Sequence, residues 1–117
     1  MKISVFGSKN YEDKARLFSL LDKNSEKIEL IITTNNKGAS QISHTWAKDN
    51  GVPLLVYFPK FHDQDGLPDK GAAWRAANKA IQKCDLVVVF WDKKSYGTQK
   101  IIYIAEEYNK AIKIFYF

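Results

Sequence analysis

Leu86-Val87-Val88-Val89-Phe90-Trp91-Asp92-Lys93-Lys94-Ser95-Tyr96-Gly97-Thr98 decides the fold. Its first five residues are apolar without alternation, the pattern of a strand buried on both faces of a parallel sheet. A polar loop over residues 91–97 leads into a helix over residues 98–109, where Ile101, Ile104, Ala105 and Tyr108 recur at helical spacing. Strand, polar loop and helix in that order are the repeating half of an α/β fold, whose ligands bind at the loop.

The same alternation extends back to the start and on to the end of the chain. Apolar runs predict strands over residues 3–6, 28–32, 54–58 and 112–116. Helical patterns lie over residues 13–23, 39–50 and 71–83, with Gly51 stopping the second and Pro53 just beyond. Ala73, Ala76, Ala77, Ala80, Ile81 and Cys84 give the third helix a small-residue face that lets it lie close to a sheet. Residues 59–70, with prolines and charges of both signs, are the longest irregular segment. Five strands separated by four helices predict an α/β Rossmann-like three-layer sandwich with a mainly parallel five-stranded sheet, as a single domain over residues 1–117.

Composition narrows the partners. The chain has 117 residues, is 45% hydrophobic and carries a formal net charge of +5. The charge favours anionic partners without choosing among nucleotide, nucleic acid and acidic surface. The single cysteine, Cys84, excludes an intramolecular disulfide framework and reads as buried packing. His44 and His62 stand apart from cysteines and carboxylate clusters, so neither a metal nor a cofactor is expected. No apolar run reaches membrane-span length and the opening apolar stretch is too short for a signal peptide; a cytoplasmic setting is expected.

Ligands of such sheets sit beyond the carboxyl ends of the strands. There Ser95, Gly97 and Thr98 open the last helix. Its free N–H groups and positive end favour a phosphate, and Lys93 or Lys94 adds charge. The competing reading is that Ser95 or Thr98 simply caps a helix. Gly7, Ser8 and Lys9 form a second anion cradle, facing the fourth strand if the first is central. Residues 33–38, with Lys37 and Gly38, form a third polar loop, whose asparagines also suit plain turn bonding. Trp46 reads as core or interface. Trp91 reads as packing or as a stacking surface for a base, and Trp74 and Arg75 open the third helix beside it.

Taken in order, Gly7-Ser8-Lys9, Thr34–Ser40 (TNNKGAS), Gly51-Val52-Pro53, Phe58-Pro59, then Arg75 and Asn78, and Phe90–Thr98 (FWDKKSYGT) resemble the YpsA-related group of the SLOG (SMF/DprA-LOG) superfamily, over nearly the full length. The resemblance implies a small Rossmann-like nucleotide-binding domain, with the ligand at Gly7, Ser8, Lys9, Lys37, Gly38, Arg75, Asn78, Trp91, Ser95, Gly97 and Thr98. The group's double glycine is here Thr34-Asn35, which reshapes the backbone approach to a ligand. The glutamate of the related LOG phosphoribohydrolases falls on Ile101, and an apolar residue cannot act as a general acid or base.

The leading expectation is therefore a binder of a phosphate-bearing nucleotide signal, ADP-ribose-like or cyclic, that does not convert it. Family context suggests a phage anti-defence sponge and a homo-oligomer. A hydrolase is the alternative, with Asp92, Asp63 or Asp65 as its carboxylate. A single-stranded nucleic-acid module is the third reading, permitted by the positive charge and an aromatic content of 14%.

Overall fold

The structure is a computed structural model describing residues 1–59 and 71–117. Chain order is β1 (Lys2–Gly7), α1 (Lys14–Lys23), a single 3₁₀ turn (Ser25–Lys27), β2 (Leu30–Thr34), α2 (Ala39–Asp49), β3 (Leu54–Tyr57), α3 (Ala72–Lys83), β4 (Leu86–Trp91), α4 (Tyr96–Glu107) and β5 (Ala111–Tyr116). The five strands form one sheet in the order β3-β2-β1-β4-β5. Every pairing is parallel, so the expected "mainly parallel" sheet is wholly so. The fold is a Rossmann-like α/β sandwich.

Topology follows from the handedness of the crossovers. Moving outward from β1 through β2 to β3 puts α1 and α2 on one face. Returning across the sheet to β4 and β5 puts α3 and α4 on the other. Strand alternation separates the core into two layers accordingly. Ile3, Val5, Ile31, Val88 and Phe90 join Leu17, Leu21, Trp46 and Ala47 on the α1–α2 side. Phe6, Ile32, Val87 and Val89 join Ala77, Ala80, Ile81, Ile101 and Ala105 on the α3–α4 side.

Small residues set how closely the helices lie. Ser40 Oγ donates to the Val5 carbonyl at 2.8 Å, holding the start of α2 against β1. Ser4 Oγ donates to the Ala80 carbonyl at 3.2 Å across the other layer. Trp46 is wholly buried, and its Nε1 donates to Asp22 Oδ1 at 2.8 Å, which joins α2 to α1. Cys84 is buried as expected, and burial pushes its thiol pKa up.

Several boundaries differ from the sequence pattern by one or two residues. β2 starts at Leu30 rather than residue 28, because pairing with β1 begins at Lys2 and Leu30. Ile28 is buried, yet it ends the 3₁₀ turn. Trp91 is the last residue of β4, paired with Tyr116, not the first of a loop. α4 opens two residues early, at Tyr96, because Asp92 folds the loop into a turn that makes Ser95 the N-cap. Most of the expected irregular segment, residues 60–70 with His62, Asp63 and Asp65, lies outside the described residues. Among the described residues no helix is long and apolar enough to cross a membrane.

Gly7 ends the central strand where nothing larger fits. A Cβ there would lie 2.8 Å from Ala39 Cβ and 3.0 Å from the Phe90 carbonyl oxygen. Gly7→Ala should therefore destabilise the fold by about 1–3 kcal/mol, read from the urea midpoint at unchanged m-value. An unchanged midpoint would show that α2 and β4 yield to the methyl.

Candidate functional site

The chain reverses its direction of travel across the sheet between β1 and β4, the switch point at whose carboxyl ends sheets of this kind form a ligand crevice. Ser8 stands at its base. Its N–H donates to the Phe90 carbonyl at 2.9 Å, extending the β1–β4 pairing by one bond. Its hydroxyl shares a 3.1 Å hydrogen bond with Thr98 Oγ1 and accepts from the Asp92 N–H at 3.3 Å. Its carbonyl faces Gly38, where a Cβ would come within 2.7 Å. Gly38 has a φ of +88°, so glycine is required here on both counts. One serine thus joins the β1–α1, β2–α2 and β4–α4 loops.

Asp92 shapes the loop before α4. Its Oδ1 accepts from the N–H groups of Lys94 (2.9 Å) and Ser95 (2.7 Å), and its Oδ2 accepts from Ser95 Oγ at 2.9 Å. These bonds, the Ser95 N–H first and the Lys94 N–H next, hold its carboxyl down at a pKa of about 2. The turn also holds Lys93 in the left-handed region, at a φ of 67°.

Ser95 is the N-cap of α4 but provides no side-chain cap. The N–H groups of Tyr96, Gly97 and Thr98 have no partner within the helix, and the helix dipole is positive there. Gly97 is exposed, and among the described residues a Cβ on it would meet only Trp74 Cη2, at 3.7 Å. Lys93 and Lys94 are exposed beside this end, as are Lys9 and Lys37 on the neighbouring loops. Uncommitted backbone donors, an open glycine and several ammonium groups suit an anion with several oxygens.

The expected site residues divide into groups. Ser8 and Thr98 are 1% and 5% exposed, so their hydroxyls join loops inside the fold. Ser95 Oγ is engaged with Asp92. Trp91 is half-buried; its Nε1 donates to the Ser95 carbonyl at 3.1 Å and its ring tilts against Tyr116. Gly7 and Gly38 permit the close approach of α2 and the loops, while Lys9, Lys37 and Gly97 present accessible groups. Arg75 is exposed on the first turn of α3. Asn78 sits farther along α3, where its Oδ1 accepts from Tyr108 of α4 and its Nδ2 donates to the Trp74 carbonyl. Asn78 is thereby part of the α3–α4 contact and is not brought to the crevice.

Three residues outside the expected set belong to this edge. Tyr96 is 72% exposed at the first position of α4. Its sequence signal was its place off the apolar stripe of that helix, with Gln99 and Lys100 at the next helical positions. Phe58 follows β3 and is 65% exposed. Thr34 ends β2 where the resembling pattern has glycine, and its hydroxyl is buried. Thr33, facing the other way, meets the His44 imidazole. Burial first, and Lys48 second, push the His44 pKa down. Among the described residues no group of His, Cys, Asp or Glu could hold a metal ion.

Two substitutions test the architecture of this edge. Thr98→Val keeps the shape but removes the partner of a buried Ser8 hydroxyl, and should cost about 1–3 kcal/mol in denaturant unfolding. The Asp92 carboxyl is more acidic folded (about 2) than its ordinary 3.8, so its stabilisation is present above that value and fades as pH falls toward 2. Wild type should exceed Asp92→Asn in stability at neutral pH, and the gap should close across that acid window. A gap independent of pH would mean that the carboxylate charge does not hold the turn.

Comparison with known proteins agrees with the fold. No curated protein matches the chain in sequence. The fold is similar to that of DNA processing protein A from Helicobacter pylori, a structure described for its single-stranded DNA binding mode. The TM-score is 0.69 at 16% sequence identity, and the match covers 97% of this chain. This chain spans 64% of that protein's chain. The sequence profile of the YspA, cpYpsA-related SLOG family matches residues 1–63, more than half of the length, and the chain belongs to that family.

Proposed function

We propose that the protein binds a phosphate-bearing nucleotide or nucleotide-derived signal of the ADP-ribose or cyclic-nucleotide class and holds it without converting it. The observation that carries this reading is the start of α4. It has no side-chain cap, it opens beside a glycine with free space, and exposed lysines surround it. Phosphate oxygens would take the N–H groups of Tyr96, Gly97 and Thr98, with Lys9, Lys94 and Lys37 supplying charge. Tyr96 is the accessible ring for a base, a role for which Trp91 is less free.

Binding without turnover is supported by what the carboxylate does. Asp92 accepts three hydrogen bonds and stays ionised down to about 2, so it is no proton donor near neutral pH. The position of the LOG glutamate is filled by buried Ile101. A sequestering role, as in a phage anti-defence sponge, is the biological form of this reading. β5 is an edge strand with Tyr116 and Phe117 about half exposed, and it is where a second copy would pair.

A single-stranded nucleic-acid partner is the second reading. Exposed Tyr96 and Phe58 on the carboxyl edge, together with the lysines, give stacking surfaces beside cations. The structural neighbour described for single-stranded DNA binding adds to it.

The test is to incubate the protein with ADP-ribose, its cyclic isomers, NAD, cyclic dinucleotides and a short single-stranded oligonucleotide, remove unbound material, denature, and identify what is released by mass spectrometry. An intact nucleotide in stoichiometric amount is expected. Gly97→Ala should bind it at least about tenfold more weakly while folding as well as wild type, since alanine is the better helix former. Recovery of a converted product would restore the hydrolase. Retention of the oligonucleotide alone, with affinity falling steeply as salt rises, would move the second reading to the front.

A further inference from the structure

Among the described residues, Thr34 Oγ1 is the one buried side-chain polar atom without a hydrogen-bond partner. The residue is 2% exposed. A buried hydroxyl with nothing to bond is costly, and folded proteins rarely keep one.

Its position gives it a use. Thr33 meets His44 of α2, and Ile32 belongs to the core layer beneath α3, so strand alternation puts Thr34 on the α3–α4 side. Ser8 points to that same side, where it meets Thr98 of α4. Thr34 pairs with Tyr57 of β3, and carrying the β1–β2 register on by two residues sets Phe6 at its other flank. Ser8 lies one strand over and two residues further along, roughly 8 Å away by strand spacing and rise. Ser8 in turn meets Thr98 in the first turn of α4, so Thr34 shares a face of the sheet with the start of that helix.

The surroundings select the chemistry. Phe6, Ile32 and Tyr57 are apolar or aromatic, and the buried residues at the start of α3 are alanines. A charged oxygen would be desolvated here without a cation, whereas an uncharged hydroxyl needs only one good partner. The first turns of α3 pack toward this layer through Ala72, Ala76, Ala77 and the partly buried Trp74 ring.

We infer that Thr34 is a binding residue that hydrogen-bonds a sugar hydroxyl of the ligand, reading the ribose while α4 holds the phosphate. This rests on the nucleotide reading above and deepens it. The threonine then sets specificity for a ribosylated ligand over a bare polyphosphate.

The experiment compares wild type, Thr34→Val and Thr34→Ser by calorimetric titration with ADP-ribose and with inorganic pyrophosphate, alongside thermal unfolding. Valine is isosteric and removes the unpaired hydroxyl, so Thr34→Val should melt at or above the wild-type temperature. Its affinity for ADP-ribose should fall about tenfold while pyrophosphate binding is unchanged. Thr34→Ser, which keeps the hydroxyl, should retain most of the ADP-ribose affinity. Unchanged ADP-ribose binding by Thr34→Val overturns the inference and leaves the phosphate site standing. So does an equal loss for both ligands. If wild type binds neither ligand, the nucleotide reading fails first and takes this assignment with it.

Discussion

Ser8 forms four backbone and side-chain bonds at the one place where the chain changes direction across the sheet. Its N–H donates to Phe90, its carbonyl accepts from Tyr11, and its hydroxyl engages both Thr98 and the Asp92 N–H. Gly38 must be glycine because the Ser8 carbonyl occupies the space a side chain would need. Three loops therefore take their positions from one residue. A larger side chain could not sit at 1% exposure between two loops, and an apolar one could not satisfy the Asp92 N–H. The exposed groups of the crevice are carried on a base that is itself fully hydrogen-bonded.

Lys9, Lys37, Lys93 and Lys94 are exposed at the carboxyl edge, where the starts of α2 and α4 add positive helix ends. Asp92 has its oxygens directed onto its own turn, and Glu12 and Asp13, exposed in the β1–α1 loop, bring acids to this edge as well. At the amino edge acids and lysines are mixed, as in the contact between the Met1 amine and Glu29. The proposed anion site is at the edge where the uncapped helix lies. Thr98, one of the residues the resemblance marked for the ligand, supports that edge from inside, and the accessible donors are backbone N–H groups of the same first turn.

Much of this was legible beforehand because burial on both faces leaves a plain mark. Residues 86–90 have no polar member, which marks a strand buried on both faces, and the four other apolar runs fell into place around it. The errors were at edges. Ile28 is apolar and buried, which looks like strand, but it closes a 3₁₀ turn. Asn78 carries a polar side chain near Arg75 in sequence, yet helix geometry turns it toward Tyr108. Apolar periodicity reports that a residue is buried, not which element buries it.

The sequence by itself determined the layers, the parallel sheet and the loops at which a ligand would be sought, because each depends on local periodicity and on glycine or proline at a turn. It also determined that the position of the LOG glutamate is apolar. Only the tertiary structure decided which hydroxyls face one another and which is left without a partner. Ser8 and Thr98 are 90 residues apart and meet only when β1 and β4 are neighbours. Thr34 is left without a partner only when β2 lies under the alanine face of α3. A hydroxyl is identical in sequence whether it is satisfied, exposed or orphaned; the difference is made by what the fold places within hydrogen-bonding distance.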